Sequence, residues 1–157
     1  MDAPNKHWAR WILASATKHF QTMASTNGIA FHIRGLLRKT ASEDEFVEFY
    51  MEGPFIVQLS ANYFRLTVGI NVLYSVDITT DYHADMELVG KILESFTQIC
   101  VYKYGDGVDD DDTYLGRLAP VQGITDKINV NTFGVKESNV KVKMGSVEAE
   151  YEIYLAG

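Results

Sequence analysis

Residues 64–78 read FRLTVGINVLYSVDI, and every even-numbered position in this stretch is apolar. Most of the side chains between them are polar, and a period of two indicates an extended strand with one apolar and one polar face. At roughly 3.3 Å per residue the strand reaches about 50 Å, against a usual strand of about 17–20 Å. We therefore predict a strand whose apolar face outgrows the core of one chain and is completed by a neighbouring subunit.

The length of 157 residues fits one domain. We predict a single α+β domain over residues 1–157, with a projecting loop or arm at about residues 28–62. The chain lacks an apolar stretch of about 18 residues that could span a membrane, and its N-terminal segment carries charges and tryptophans where a signal peptide needs an apolar core. Cys100 is the only cysteine, which favours a reducing site of synthesis, and its apolar neighbours favour a small buried side chain.

Charge is unevenly distributed along the chain. Residues 1–42 carry six Lys and Arg against one acid, whereas residues 43–157 carry eight against twenty. An ordinary solvated surface accounts for this difference. So does charge complementarity, in which basic residues such as Arg34, Arg38 and Lys39 dock on the acidic body of another copy. Nucleic-acid binding is disfavoured, because the larger acidic part of the chain repels phosphate.

The sequence predicts two helices. The first has Pro4 in its opening turn, carries apolar side chains at helical spacing from Trp8 onward, and ends before Asn27–Gly28. The second follows an N-cap in residues 79–81 and runs to about Thr97. Its apolar side chains also recur at helical spacing, so we expect this helix to lie on the sheet.

Apolar and alternating runs predict strands on either side of the long one, at residues 29–33, 46–51, 55–60, 99–104, 124–133 and 140–155. Residues 52–54 predict a turn or bend, and we expect residues 55–60 to pair antiparallel with residues 63–79. The apolar phase shifts by one residue at Gly145–Ser146, which predicts a turn or bulge there. This order of elements predicts an α+β fold, in which helices pack on one face of a mainly antiparallel sheet.

Asp109, Asp110, Asp111 and Asp112 form the most acidic segment and predict an exposed loop. A calcium-binding EF-hand loop also needs a central glycine and a glutamate at its twelfth position, and neither is in place here. Three interpretations stay open: a solvated acidic loop, a loose cation site, and a wall that repels polyanions.

The remaining side chains give no pattern of catalytic or metal-binding residues. The four histidines do not pair with Cys, Asp or His at metal-ligand spacing, and we can place no acid and base together. We therefore expect a protein that is not an enzyme and holds no metal and no cofactor. Trp8 and Trp11 lie three residues apart on the first helix, and either core packing or a subunit contact accounts for them.

The element order resembles that of the tail-terminator and neck proteins of tailed bacteriophages. In that family an opening helix precedes two antiparallel strands, a helix that crosses the sheet, and further strands. The phrase YFRLTVGINVL at residues 63–73 is similar to the family's central strand. The matching segments are Trp8–Met23, Phe55–Ser60, Tyr63–Thr79, His83–Thr97, Ile99–Tyr104 and Val147–Leu155. Residues 34–42 and the arm depart from the family pattern and also suit another neck component or an adaptor.

The resemblance implies a structural virion protein that forms a ring of six copies, caps the tail tube and joins it to the head. It implies other neck and tail-tube proteins as partners, the host cytoplasm as the place of assembly, and no membrane partner. Asp109–Asp112 would line the lumen, so that DNA slides through without specific binding, because phosphate contacts create strong nonspecific affinity.

Two alternatives to this function stay open. A head–tail adaptor or a tail-tube subunit is the alternative in the same class. A small-ligand-binding α+β domain is the alternative from another class, with an apolar pocket between the sheet and residues 86–96.

Overall fold

The computed structural model describes residues 3–33, 45–77, 79–103, 113–121, 128–134 and 142–156. These residues form an α+β fold with two helices and a mostly antiparallel, curled sheet, so the predicted fold class is confirmed at this level. In chain order the elements are α1 (Trp8–Thr26), β1 (Ala30–Ile33), β2 (Phe46–Ser60), β3 (Tyr63–Asp77), α2 (Tyr82–Glu94), β4 (Ile99–Tyr102), β5 (Tyr114–Pro120), β6 (Ile128–Gly134) and β7 (Val142–Ala156).

The sheet has the strand order β1-β2-β3-β7-β5-β4, and β6 also pairs with β7. Among the described strands, β1 and β2 are the only parallel pair. β3 lies between β2 and β7, and it pairs with β7 without interruption from Tyr63↔Ala156 to Asp77↔Val142. The long strand and its antiparallel pairing with residues 55–60 are therefore confirmed.

The apolar face of β3 is covered by side chains of the same chain. Its even-numbered residues from Phe64 to Val76 are all buried. Trp8 of α1 meets Phe64 edge to face, with 5.4 Å between the ring centroids, and Phe20 of α1 stacks on Phe49 of β2 at 5.3 Å. The expectation that neighbouring subunits complete this face is wrong, because these side chains are already buried within the single chain.

β2 is one strand with an irregularity where the sequence predicts a turn or bend. Its register with β3 shifts between Glu52 and Phe55. Gly53 has a φ of 95°, and a Cβ at this position would come within 2.9 Å of the Thr67 carbonyl oxygen. Only glycine adopts this φ without steric cost. The Gly-Pro step therefore shifts the register and does not end the strand.

α1 begins later than predicted and ends where predicted. Its first residue is Trp8, so Pro4 precedes the helix and does not occupy its first turn. The Asn5 side-chain oxygen accepts a hydrogen bond from the backbone N–H of His7 at 2.9 Å, a local turn that competes with helix formation. At the other end Gly28 has a φ of 67°, which is typical of the residue that follows a helix.

α2 begins at the predicted N-cap. The carboxylate of Asp81 accepts a hydrogen bond from the backbone N–H of Ala84 at 2.8 Å. This bond satisfies one of the N–H groups that the start of a helix leaves without an intrahelical partner. The helix ends at Glu94, with Ser95 as its C-cap, slightly before the predicted end at Thr97.

The turn or bulge that the sequence predicts at Gly145–Ser146 is absent from the pairing of β7 with β3, whereas the pairing of β7 with β6 shifts register between Gly145 and Met144. The strand passes through both residues, and its register with β3 is unbroken. Gly145 lies opposite Tyr74 of β3, and a Cβ on Gly145 would overlap the Tyr74 ring. The glycine thus occupies an inward position that the ring fills, and Met144 lies on the other face. The alternation of apolar side chains is interrupted here because the inward position is a glycine, and the Tyr74 ring fills the space that its side chain would occupy.

β5 is a strand that the sequence pattern does not predict. It pairs with β4 on one side and with β7 on the other. Its residues, YLGRLAP, do not alternate, and they include a glycine and a proline. A Cβ on Gly116 would lie 3.3 Å from the Ile153 side chain, so the strand approaches β7 closely at this position. Tertiary packing therefore places this strand in the sheet.

The segment 28–62, predicted to contain a projecting loop or arm, is described at residues 28–33 and 45–62. These residues contribute β1 and β2 to the sheet. Residues 34–44 lie outside the described residues. β4 is shorter than its predicted segment, because it ends at Tyr102 and the described residue Lys103 is not in the strand. β6 covers the described part of its predicted segment, and Tyr104 and residues 124–127 lie outside the described residues.

Candidate interaction surface

The end of β2 exposes apolar side chains on both of its faces. Phe55 is 65% exposed, and Ile56, Val57 and Leu59 are also exposed. Because three apolar residues follow one another after the register shift, the pleat directs them alternately to opposite sides of the sheet. The core therefore cannot cover all of them.

Two tyrosines extend this surface on the neighbouring strands. Tyr63 of β3 and Tyr154 of β7 stack with a centroid distance of 5.9 Å and an interplanar angle of 17°. Each ring is 43% exposed. We call the set the hairpin surface, and it consists of Phe55, Ile56, Val57, Leu59, Tyr63 and Tyr154.

The hairpin surface lies along a free strand edge. β1 pairs with β2 only from Phe46 to Phe49, and no other described strand pairs with that side of β2. Residues 53–63 include no charged side chain. Natural sheets usually protect such edges with charges or with a covering element, since an unpaired apolar edge invites pairing with another chain.

A second free edge lies on β6. This strand pairs with β7, and none of the described strands pairs with its other side. Ile128 and Val130 are exposed there. They lie opposite Ala149 and Val147 of β7, so they continue the row of side chains that is buried elsewhere in the sheet. Like the hairpin, residues 128–134 contain no charged side chain.

The side of the sheet opposite the buried row is acidic. Glu148, Glu150 and Glu152 alternate with buried residues along β7. The register aligns Glu150 with Gly69 of β3 and Glu52 of β2. We call this surface the acidic face, and it consists of Glu48, Glu52, Glu148, Glu150 and Glu152. Like charges on neighbouring strands repel, so this surface favours solvent or a cationic partner.

A buried ion pair connects α2 to β7. The Lys143 ammonium lies 2.6 Å from Oδ2 of Asp85, whereas Oδ1 of Asp85 has no hydrogen-bond partner. Burial raises the pKa of the nearby Tyr74 phenol, and the negative charges of Asp85 and Tyr82 raise it further. The group is a polar contact between a helix and the sheet, with one carboxylate oxygen unsatisfied.

An open cleft of about 650 Å³ lies between α1, the end of α2 and β4. Most of its lining side chains are polar, and they include His19, Lys91 and Cys100. Nε2 of His19 lies 2.7 Å from the Ser95 carbonyl oxygen. Cys100 is exposed, which contradicts its predicted burial, because it lies on the outward side of a short strand. The cleft shares Lys91, Glu94 and Ser95 with the segment 86–96, but its mostly polar lining differs from the apolar pocket predicted between that segment and the sheet.

The predicted site residues divide into two groups. Trp8 and Trp11 are 2% and 7% exposed, so they belong to the core of this chain, the first of the two alternatives, and offer little surface to a subunit contact. The basic residues Arg34, Arg38 and Lys39 and the acidic segment Asp109–Asp112 lie outside the described residues.

The hairpin surface is not among the contacts that we predict from the sequence. The signal for it is the uncharged run PFIVQL at residues 54–59, in which neighbouring positions are apolar and alternation is lost. A strand with apolar side chains on both faces needs cover on both faces. The end of β2 keeps exposed apolar side chains on both faces.

The part of the chain that the structure describes contains no group of three or more His, Cys, Asp or Glu side chains that could hold a metal ion. Neither α1 nor α2 is long and apolar enough to cross a membrane. Comparison with protein-family models and with curated proteins found no match to this chain.

Proposed function

We propose that this chain is a structural virion protein of a tailed phage. In this proposal it forms a ring of six copies, as a tail terminator or neck component, and joins the tail tube to the head. The observation that carries the proposal is the uncharged hairpin surface on a free edge of the sheet. The element order on which the family resemblance rests supports it, since α1, the β2–β3 hairpin, α2, β4 and β7 follow one another in that order.

The size of the hairpin surface supports assembly. Soluble monomers rarely expose contiguous apolar patches larger than a few hundred Å², and larger patches mark interaction sites. The hairpin surface has six exposed apolar side chains, three of them aromatic, on the two faces of one end of the sheet. A stable interface buries about 800 Å² per partner. The patch is a suitable centre for such an interface, and its strand edge adds backbone hydrogen bonds.

Both helices cover one face of the sheet in this proposal. The pairs that support the arrangement are Trp8 with Phe64, Phe96 with Tyr151, and Asp85 with Lys143. The three sheet residues of these pairs lie in the row that includes the even-numbered positions of β3. The acidic face then remains for the lumen, where carboxylates repel DNA and keep nonspecific affinity low. Asp109–Asp112 stay candidates for the same role.

Immunogold electron microscopy of virions tests the place of the protein. An antibody raised against the purified chain is expected to label the junction between head and tail, in the mature particle and in tails assembled in the host cytoplasm. Label along the whole tube indicates the alternative, a tail-tube subunit. Particles that carry no label contradict the proposal.

The alternative from another class, small-ligand binding, would use the cleft between α1, α2 and β4. Its volume lies within the range of about 300–1,000 Å³ that is typical of ligand pockets. A thermal-shift screen with nucleotides and fatty acids tests this function. A rise in melting temperature that Lys91→Glu abolishes supports ligand binding, and an unchanged melting temperature throughout the screen counts against it.

A further inference from the structure

We infer that neighbouring copies join edge to edge, with the free edge of β2 in one copy paired to the free edge of β6 in the next. This inference rests on the proposed ring and names the surfaces that form it. The partner is a second copy of this chain.

The topology places the two edges on opposite borders of one sheet. β2 lies on one side of the β3–β7 pair and β6 lies on the other. A contact between two different surfaces repeats from copy to copy, and it closes into a ring when the rotation allows. β2 and β7 are both antiparallel to β3, and β6 is antiparallel to β7, so β2 and β6 run in opposite directions. Copies related by rotation about the ring axis therefore form an antiparallel pair, like the rest of the sheet.

The chemistry of the two edges matches. Residues 53–63 and residues 128–134 carry no charged side chain, in a chain with 22% charged residues. Ile56 and Gln58 of β2 lie in the inward row of the sheet, and so do Ile128 and Val130 of β6. Pairing the edges brings Ile56 beside exposed apolar side chains of β6, and it satisfies the outward backbone groups of both strands.

Two other arrangements fit less well. Stacking the acidic faces of two copies brings five glutamates against five, and like charges at an interface cost affinity. A two-fold pairing of β2 with β2 leaves the β6 edge uncovered. The free segments of the two edges are also offset from each other along the strand direction. β6 aligns with Met144–Ala149 of β7, whereas the exposed end of β2 aligns with residues 63–67 of β3. Such a stagger tilts the strands relative to the ring axis, as sheet closure requires.

Mixing two variants distinguishes a contact between the β2 edge and the β6 edge from a two-fold contact between two β2 edges. Ile56→Lys and Val130→Glu each place a charge on one edge, so each variant alone is expected to lose rings in native mass spectrometry. An equal mixture is expected to regain them, because alternating copies join lysine edges to glutamate edges and the remaining edges are unchanged. A mixture that stays monomeric, although the wild-type protein forms rings, overturns the inference. Circular dichroism of each variant checks that it folds.

Disulfide cross-linking in a Cys100→Ser background locates the contact. The pair Ile56→Cys with Val130→Cys is expected to give a ladder of covalent oligomers. The matched control, Ile56→Cys with Asn129→Cys, puts the second thiol on the opposite face and is expected to give little. Rings without a ladder overturn the edge pairing and leave the proposed function standing. A wild-type protein without rings overturns both.

Discussion

Tyr74 and Gly145 show how one residue pair fixes the register of the central strands. They lie opposite each other on β3 and β7, and the tyrosine ring occupies the space in which any side chain on Gly145 would lie. A slip of either strand by one residue would bring the ring against a side chain, since side chains alternate between faces. The pair therefore specifies the alignment of the two longest neighbouring strands.

Gly145→Ala is expected to lower the free energy of unfolding by about 2 kcal/mol, because the added methyl group overlaps the Tyr74 ring and forces the strands apart. Gly90→Ala is the matched control, since a Cβ on this α2 residue meets nothing within 4 Å. A methyl group at an interior helix position should stabilise the protein by about 0.5–1 kcal/mol. Urea unfolding measures both, and equal effects of the two substitutions would contradict the packing argument.

Tyr151 predicts how stability depends on alkaline pH. Burial raises the pKa of its phenol well above the usual value. The folded protein retains a proton that the unfolded chain releases, so the contribution to stability is complete below about pH 10 and is lost as the pH rises further. Tyr151→Phe removes this dependence, and the decline in stability above about pH 10 should become shallower.

The same substitution has a separate cost at neutral pH. The Tyr151 hydroxyl donates a hydrogen bond to the Thr97 carbonyl oxygen at 3.0 Å. Its loss should lower the free energy of unfolding by about 1 kcal/mol. Urea unfolding at about pH 7 and about pH 11 measures both effects. A variant whose stability declines as steeply as that of the wild type at high pH would contradict the account.

At the scale of elements, β2 combines two environments in one strand. Its first part packs Val47 and Phe49 into the core, and its last part, beyond Gly53, exposes Phe55 and Leu59. The register shift separates the two parts. A strand that is built into the core at one end and exposed at the other can carry an interface without losing its own fold.

Phe55→Asp is expected to abolish assembly and to leave folding intact, because a charge replaces the most exposed side chain of the hairpin surface. Tyr82→Asp is the matched control, since Tyr82 is an exposed aromatic residue on α2 and is not part of the hairpin surface. Size-exclusion chromatography with light scattering measures the mass. Loss of assembly in the control, or its survival in Phe55→Asp, would count against the hairpin surface.

The ion pair between Lys143 and Asp85 joins α2 to the sheet. Lys143→Met leaves the buried carboxylate of Asp85 without its partner, and we expect a loss of about 2 kcal/mol in the free energy of unfolding. Lys91→Met removes an exposed lysine of α2 and should change stability by less than about 0.5 kcal/mol. Thermal unfolding compares the two. If both variants melt together with the wild type, the contact does not stabilise the attachment of α2.

At the scale of the whole molecule, the sequence predicts the elements better than their relations. Periodicity is sufficient for β3, and cap residues are sufficient for the C-terminal end of α1 and the start of α2. β5 has no local pattern, because the approach of Gly116 to Ile153 places it in the sheet. The burial of the apolar face of β3 within a single chain also escapes prediction, since the local pattern does not show which side chains pack on that face. The candidate interface therefore lies on the hairpin surface and on the free edge of β6, and not on the buried apolar face of β3.

We propose above that identical copies assemble into a ring through the hairpin surface. Mass photometry of the untagged wild-type protein over a wide concentration range is the decisive measurement. We expect a discrete species of six chain masses in equilibrium with the 17.7 kDa monomer. A chain that remains monomeric at every concentration, both alone and with isolated tail tubes, would contradict it.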